Sequence, residues 1–237
     1  MAGGVATLIR ISYPLKAGSP LYPGTPAPTR VPFRSIKKGD SSSSEIISLH
    51  THSGTHIDAP CHFCPGGAGI SDLLGAGTVF APTVILPVPV EGDGCITGGD
   101  LEPFLRDIQG AQAVVLRTGD CLRRDRDPEG YAGVHPWVHP DVPEVLREHA
   151  PSLRLFGVDT ISISSPLHRE EGRSCHRAFL CSSPPVLLME DIDLSDPRLE
   201  GGGWSLHVYP WLLEPLDGVP VVAVVNREGR GREGVPA

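Results

Sequence analysis

The sequence predicts one α/β domain with mixed sheets and few short helices. Several short apolar runs have the length and the β-branched content of strands. Proline (25 residues) and glycine (28 residues) are abundant and divide these runs, which favours many turns over long helices. Neither an internal repeat nor an interdomain linker is evident. We therefore predict a single domain over residues 1–228 and a disordered tail over residues 229–237, which are rich in glycine, arginine and glutamate.

The first ninety residues favour strands separated by loops. Residues 7–15 alternate apolar and polar side chains before a proline, as a strand does. Residues 34–44 are polar and low in complexity, and they predict a mobile loop or the tip of a hairpin. Residues 44–52 have β character, and residues 65–77 form a linker with one helical turn. Residues 78–90 predict a buried strand with prolines at its ends.

One segment carries the signals of a capped helix. Residues 97–108 begin with two candidate N-caps, Thr97 and Asp100. Their apolar side chains recur at the helical spacing of i, i+3, i+4 and i+7. These side chains are Leu101, Phe104, Leu105 and Ile108.

The rest of the chain alternates further strands with short helices. A short helix is predicted over 140–150, a helix or turn begins at 176–180, and residues 120–140 are predicted to be irregular. The predicted strands are 111–119, 153–164, 184–193, 203–213 and 219–228.

Composition excludes several classes of protein. The formal net charge of -8 argues against a nucleic-acid-binding protein, which usually carries a basic patch. No run approaches the roughly 18 apolar residues of a membrane span. The N-terminal stretch lacks the charged and apolar regions of a signal peptide. We expect a soluble cytoplasmic protein that acts on a small molecule.

The six cysteines are scattered through a chain that is long enough to fold without disulfides. We predict that they are mostly reduced thiols. Cys61 and Cys64 form a C-x-x-C pair, but no βαβ pattern surrounds it, so a thioredoxin-like role is not indicated.

Residues 52–63, HSGTHIDAPCHF, concentrate the chemistry of the chain. Imidazole and carboxylate groups at His52, His56 and Asp58 suit zinc, and also manganese or iron. Gly54 and the β-branched neighbours oppose a helix, so we predict a strand end that turns at this glycine. His56 and Asp58, two residues apart, then point the same way from an extended segment.

Two more histidines flank this group. His62 follows Asp58 by four residues, and is either a further ligand or a base that moves a proton beside the metal. His50 is a lesser candidate that could replace His52 in the strand register. A single histidine is more often a surface or core residue, but four such groups clustered at a glycine turn favour a metal site.

The pattern H-x-G-T-H-x-D-A-P-x-H resembles the signature of the cyclase family, which includes bacterial kynurenine formamidase and isatin hydrolase. Weaker stretches along nearly the whole chain follow in the family's order. They are SYPLKAGSPLYPG near the N-terminus, AVVLRTG (113–119), GVDTISIS (157–164), CHRAFL (175–180), VLLMEDIDL (186–194) and EPLDGVPVVAVV (214–225).

This resemblance implies a metal-dependent hydrolase with a swivelling β/β/α fold. It makes His62 the catalytic histidine and Asp58 a bridge between two ions. The implied metal ligands are His52, His56, Asp58, His176 and Glu190. It also implies a homodimer or homotetramer in which N-terminal elements reach a neighbour's active site.

Zinc is the expected cofactor, as one or two ions per chain, and manganese is possible. The expected reaction is cleavage of a C–N amide bond in an arylformamide or a cyclic amide by metal-activated water. The alternatives are a lactonase or dehydratase at the same site, or a member that has lost catalysis and only binds metal or ligand.

The distant residues depend on the resemblance. His176 is preferred to His168 because apolar residues follow it, as in the family. From its position alone, Glu190 would be a solvated carboxylate at a strand end. His135 and His139 lie in a charged segment and are predicted to face solvent.

The chain also departs from the family pattern, and these departures bear on the substrate and on activity. They lie at Arg10, Thr25, Asp120 and Ser164. The aromatic side chains that could stack on an aryl substrate are Tyr22, Phe33, Tyr131 and Trp137.

Overall fold

The computed structural model describes residues 7–74, 78–213 and 216–227. The tail predicted at residues 229–237 lies outside the described residues. None of the helices in the described part of the chain is long and apolar enough to span a membrane.

Within these ranges the chain forms twelve strands. They are β1 (Thr7–Arg10), β2 (Thr29–Arg34), β3 (Ser44–Ser48), β4 (His56–Asp58), β5 (Thr78–Pro87), β6 (Cys95–Ile96), β7 (Ala113–Arg117), β8 (Trp137–Val138), β9 (Leu155–Val158), β10 (Leu187–Glu190), β11 (Gly201–Pro210) and β12 (Gly218–Arg227).

The main sheet closes on itself. Its order is β1-β12-β11-β5-β7-β9-β10-β4, and β4 also pairs with β12. Seven strands thus form a ring, while β1 lies beside the far end of β12. The neighbours β5, β7, β9 and β10 are parallel and the other pairs are antiparallel. The predicted fold class, a single α/β domain with mixed sheets and few helices, is confirmed as a barrel-like mixed sheet.

The sheet separates two apolar cores. Strand β7 shows the division, because Ala113 and Val115 belong to one core while Val114 and Leu116 belong to the other. The first core draws side chains from all seven strands of the ring and therefore fills the barrel interior. The second lies on the outer face, where the helices cover it.

Four α-helices are present in the described residues. They are α1 (Ile70–Leu74), α2 (Pro128–Gly133), α3 (Val142–His149) and α4 (Arg169–Leu180). The 3-10 helices are Ile36–Lys38, Pro60–His62, Gly98–Phe104 and Asp120–Leu122.

Two of the helix predictions need correction. The segment 97–108 forms a 3-10 helix over Gly98–Phe104, although Thr97 and Asp100 do make the capping box. Pro103 inside it has no N–H to donate, which opposes a regular α-helix. The helix placed at 176–180 instead begins at Arg169. Its first six residues are polar or glycine, so the apolar pattern reveals only its second half.

The cysteine prediction is wrong for one pair. Cys64 and Cys181 form a disulfide, whereas the other four cysteines, all within the described residues, are free. The bond joins the loop after His62 to the end of α4, across 117 residues of sequence. Spacing along the chain cannot reveal such a partner.

We expect the denatured, unreduced protein to present four reactive thiols and the reduced protein six. A thiol-reactive dye in denaturant measures both counts. The Cys181→Ser variant should show five thiols without reduction, because Cys64 loses its partner. Six thiols in the unreduced wild type would contradict the disulfide.

Candidate metal centre

The His-rich segment turns where the sequence predicts. Gly54 has φ +65°, and a Cβ there would lie 2.7 Å from the Leu15 side chain. Glycine fits this left-handed turn because it carries no Cβ. The chain then enters β4, where His56 and Asp58 point to the same side, with Nε2 and Oδ1 3.3 Å apart.

Strand β10 brings the distant glutamate to this group. Antiparallel pairing places Glu190 opposite His56, and their Oε2 and Nε2 atoms lie 3.4 Å apart. The other oxygen, Oε1, accepts hydrogen bonds from the Ser162 hydroxyl (3.0 Å) and the Ile163 amide (2.8 Å). Glu190 is therefore buried and held, not solvated as its position at a strand end alone would suggest.

Helix α4 supplies the fourth buried member. His176 Nε2 lies 3.4 Å from Glu190 Oε1 and 3.7 Å from Asp58 Oδ2. Its Nδ1 donates to the Gly172 carbonyl at 2.8 Å, one turn earlier in the helix. His56 repeats this arrangement, since its Nδ1 donates to the Gly54 carbonyl at 2.8 Å. In both rings the backbone bond occupies Nδ1, so Nε2 is the nitrogen that faces the carboxylates.

His52 and His62 complete the group from its more open side. His52 Nδ1 lies 2.7 Å from Asp58 Oδ1, and the ring centroids of the two histidines are 4.0 Å apart. The side chain of His62 is 28% exposed, whereas those of His56 and Asp58 are buried. The side chain of His52 is only 12% exposed. Solvent and a small molecule can therefore approach His62 more readily than His52.

The carboxylates and imidazoles hold charge in the metal-free protein. Burial and Asp58 raise the pKa of Glu190, but the neighbouring imidazoles of His176 and His56 lower it to about 2. Burial lowers the pKa of His52, but the charge of Asp58 and the hydrogen bonds to Asp217 and Asp58 raise it to about 9. The pKa values of His56 and His176 are raised and that of Asp58 is lowered in the same way, because these imidazoles and carboxylates face one another. A divalent cation could take the place of the protons that these shifts favour.

Sequence reasoning missed one residue of the site. Asp217 Oδ2 lies 3.0 Å from His52 Nε2 and 3.2 Å from His62 Nδ1. Its carboxylate is the last acidic group before β12, in the stretch EPLDG, and this was the available signal. Position along the chain does not reveal that the start of β12 pairs with the end of β4.

The donor atoms fall into three groups, and within each group they lie within 4.8 Å of one another. The groups are His52/His56/Asp58, Asp58/His176/Glu190 and His52/His62/Asp217. All six candidate site residues named from the sequence therefore meet in one place, and Asp58 belongs to the first two groups. The metal-binding and catalytic roles of these residues remain predictions.

The other histidines considered in the sequence analysis lie in different surroundings. His50 lines the same cavity, where its Nδ1 accepts a hydrogen bond from the His52 amide at 3.2 Å. His168 lies outside the cluster and pairs with Asp93 at 2.7 Å. The prediction that His135 faces solvent is wrong, because its side chain is fully buried and bonds to the Pro136 carbonyl.

The donor groups open into a cavity of about 380 Å³. Of the four aromatic candidates, only Tyr22 lines it. Tyr131 is buried in a hydrogen-bond network, Trp137 stacks on His168, and Phe33 is exposed on β2.

The departures from the family pattern divide between the cavity and the rest of the molecule. Thr25 and Ser164 line the cavity, so they can influence the choice of substrate. Arg10 is exposed on β1, and Asp120 is buried beside Arg123. The last two are therefore not part of the cavity wall.

Comparison with known proteins agrees with this geometry. The family model described as "Putative cyclase" matches residues 9–165, which is more than half of the chain. The chain belongs to the cyclase family. A kynurenine formamidase from Bacillus cereus is 30% identical to this cyclase-family chain over 219 residues, which cover 92% of the chain and 96% of that relative.

Solved structures share the fold. Isatin hydrolase A from Labrenzia aggregata superposes with a TM-score of 0.78 at 19% identity and 94% coverage of each chain. A predicted metal-dependent hydrolase from Bacillus stearothermophilus gives a TM-score of 0.72 at 24% identity, covering 94% of this chain and 98% of the other. These structures show the fold. The prediction that this member of the cyclase family is a hydrolase is supported by its 30% identity to the kynurenine formamidase.

Proposed function

We propose that this cyclase-family member hydrolyses a C–N amide bond in an arylformamide or a cyclic amide, with a divalent metal as cofactor. The observation that carries the proposal is the pair of donor groups that share the buried Asp58 and lie next to the partly exposed His62. The names of the similar proteins, kynurenine formamidase and isatin hydrolase, support an amide as the substrate.

The residues fit a metal. His56 Nε2 is buried and has no hydrogen-bond partner, although two carboxylate oxygens lie within 3.4 Å of it. A buried nitrogen lone pair facing two carboxylates costs stability unless a proton or a cation sits between them. Nitrogen and oxygen donors together suit zinc, and manganese is the second candidate.

A divalent ion supplies positive charge that polarises a carbonyl oxygen and makes water more acidic. His52, His56 and Asp58 would hold one ion, and Asp58, His176 and Glu190 a second. Hydrogen bonds from the Ser162 hydroxyl and the Ile163 amide orient Glu190.

His62 carries the proton transfer. It lines the cavity beside the donor groups, and an imidazole there can take a proton from the attacking water and deliver it to the leaving nitrogen. The amine then departs as a neutral molecule. For this step His62 must reach the oxygen of the attacking water and the leaving nitrogen. His62 need not be a metal ligand for it.

Substrate hydrolysis tests the proposal directly. The zinc-loaded enzyme is incubated with a panel of aryl formamides, lactams, lactones and hydroxylated compounds, and the products are separated by chromatography. We expect release of an aryl amine from a formamide, or opening of a lactam ring. Turnover of lactones alone would favour the lactonase, and loss of water from a hydroxylated substrate would favour the dehydratase. Absence of turnover with metal fully bound would favour a binding protein.

His62→Ala should lower turnover by on the order of 10²-fold or more, because it removes the proton-transfer group. Metal content should stay at the wild-type value, since the two buried donor groups do not include His62. His149→Ala on α3, outside the cavity, is the matched control. A normal rate in His62→Ala would exclude this role for the imidazole.

We also propose a homo-oligomer, as the resemblance implies. The β2–β3 hairpin exposes apolar side chains on both of its faces, since Val31 pairs with Ile46 while Ile47 pairs with Arg30. Exposed apolar surface of this extent is typical of an interaction site. These side chains are Val31, Phe33, Ile36, Ile46 and Ile47, each 55–66% exposed. A second copy of the chain is the partner that we infer for this surface.

Charging this surface should dissociate the oligomer. The double variant Phe33→Glu/Ile46→Glu places two carboxylates in the proposed contact, and light scattering after size exclusion reads the mass. Lys37→Glu, an exposed charge change at the tip of the same hairpin, is the control. An unchanged mass in the double variant would contradict this interface.

The cytoplasmic location remains a prediction. Disulfides persist mainly in oxidising compartments, so the Cys64–Cys181 bond weighs against it. Fractionation of the source cells, with detection by antibody, tests the location.

A further inference from the structure

A single carboxylate oxygen connects the two histidines on the open side of the site. Asp217 Oδ2 lies 3.0 Å from His52 Nε2 and 3.2 Å from His62 Nδ1. Both distances fit hydrogen bonds in which each ring N–H donates to the carboxylate. One side chain therefore contacts a candidate metal ligand and the candidate proton-transfer group together.

Main-chain contacts hold residue 217 beside the two histidines. The Ala59 amide, which immediately precedes the 3-10 turn that ends at His62, donates to the Asp217 carbonyl at 2.8 Å. The next residue, Gly218, pairs with Asp58 across β12 and β4. The His52 ring packs directly on Gly218, where a Cβ would come within 2.5 Å of Cε1.

His52 and His62 differ from the two buried histidines in how they are oriented. The rings of His56 and His176 are fixed by backbone carbonyls. Among the hydrogen bonds of the described residues, the ring nitrogens of His52 and His62 meet only carboxylates. Asp217 is therefore the hydrogen-bond acceptor that orients His52 and His62, as backbone carbonyls orient His56 and His176.

The contact decides which ring nitrogen carries the proton. For His52, a proton on Nε2 donated to Asp217 leaves the Nδ1 lone pair beside Asp58, in the first donor group. For His62, a proton on Nδ1 leaves Nε2 able to accept one. A carboxylate behind a ligating histidine fixes its tautomer and raises its basicity.

We propose that Asp217 is a positioning residue that fixes His52 as the Nε2–H tautomer for metal binding and His62 as the Nδ1–H tautomer for proton transfer. The part that concerns His62 rests on the proposed function. The part that concerns His52 depends only on metal binding, and it can be tested without any substrate.

The test compares wild type, Asp217→Ala, Asp217→Asn and Asp217→Glu, each loaded with zinc alone. Nitrogen-15 spectra of the imidazoles report the tautomers, and a competing chelator reports zinc affinity. We expect the two stated tautomers in wild type and their loss in Asp217→Ala. Zinc affinity should fall about 10- to 100-fold in that variant, as for other carboxylates behind a metal-binding histidine. Asp217→Glu should restore part of both.

Folding and activity complete the design. Circular dichroism checks that each variant is folded, and the isosteric Asp217→Asn covers a failure of the alanine variant. Glu129→Ala, an exposed carboxylate away from the site, is the control. We expect kcat to fall at least 10-fold in Asp217→Ala with little change in KM, because the proton-transfer group is misoriented while the cavity is intact.

Two outcomes would overturn the inference. Unchanged tautomers and zinc affinity in folded Asp217→Ala would remove the positioning role. Loss of one whole zinc ion per chain, with a zinc-shifted His62 signal in wild type, would make Asp217 a ligand of the third donor group instead. If His62→Ala is fully active, the proposed role of His62 in hydrolysis fails. The His52 tautomer and the zinc affinity of the Asp217 variants still show whether Asp217 positions His52.

Discussion

Replacing Asp58 with asparagine should remove all tightly bound metal from the protein and reduce hydrolysis to background. Asp58 is the residue that the two buried donor groups share, and its two oxygens face His56 and His176 separately. A neutral amide cannot supply a negative charge to two cations. The loss should exceed the roughly 10- to 100-fold that removal of an outer partner costs in metal affinity. Elemental mass spectrometry of the desalted protein gives the metal content per chain.

Glu190→Ala distinguishes two ions from one. Glu190 belongs to the second donor group only, so metal content should fall from two ions to one. One ion in both wild type and Glu190→Ala would indicate a mononuclear site without Glu190. Glu129→Gln, an exposed carboxylate elsewhere, should leave the content unchanged. Full metal content in Asp58→Asn would contradict the shared-ligand arrangement.

Removing the charge of Arg124 should cost about 3–5 kcal/mol of stability, because it leaves Asp191 ionised and buried without its partner. The guanidinium donates to Asp191 through Nε and one terminal nitrogen, both at 2.7 Å, and the Tyr131 hydroxyl donates to the same carboxylate at 2.7 Å. The side chains of Arg124 and Asp191 are 4% and 1% exposed, so water cannot replace the lost partner.

The measurement is urea denaturation of Arg124→Met and of the double variant Arg124→Met/Asp191→Asn. The single variant should also melt roughly 6–20 °C lower than wild type, given the usual relation between free energy and Tm at this chain length. The double variant should regain much of the loss, because no uncompensated charge remains. Arg126→Met, an exposed neighbour, should be neutral. Equal stability of the single and double variants would show that packing of the arginine, not its charge, is what matters.

Asp191 also lies beside the candidate metal centre. Asp191 directly follows Glu190 and has φ +53°, which aspartate tolerates better than most residues. Its carbonyl accepts the Thr55 hydroxyl at 2.5 Å, next to His56. This hydrogen bond joins the end of β10 to the start of β4, the two strands that deliver candidate ligands. We expect Arg124→Met to weaken zinc binding as well as folding.

The sequence determined the features that depend on neighbours along the chain. A period of two places His56 and Asp58 on one side of a strand, and a glycine with positive φ is needed for the turn before them. The same local rules predicted Thr97 as a candidate N-cap, and they predicted most of the strands. These features follow from backbone geometry over a few residues, so the sequence is sufficient for them.

The resemblance to a family added what the residues by themselves left open. His176 and Glu190 are separated from the His-rich segment by more than a hundred residues, and no spacing rule joins them to it. The fold brings both to within 3.7 Å of the group at β4. Their position agrees with the resemblance, while their role as ligands is still to be tested by metal content.

Only the tertiary structure decided the rest. Asp217 reaches His52 and His62 because β12 closes the barrel against β4, and closure is a property of the whole sheet. The burial of His135 and the pairing of Cys64 with Cys181 likewise depend on segments that are distant in sequence. Hydropathy and spacing describe what a residue is and which neighbours it has along the chain. Contacts across a closed sheet follow from the register of strands far apart, which local patterns do not encode.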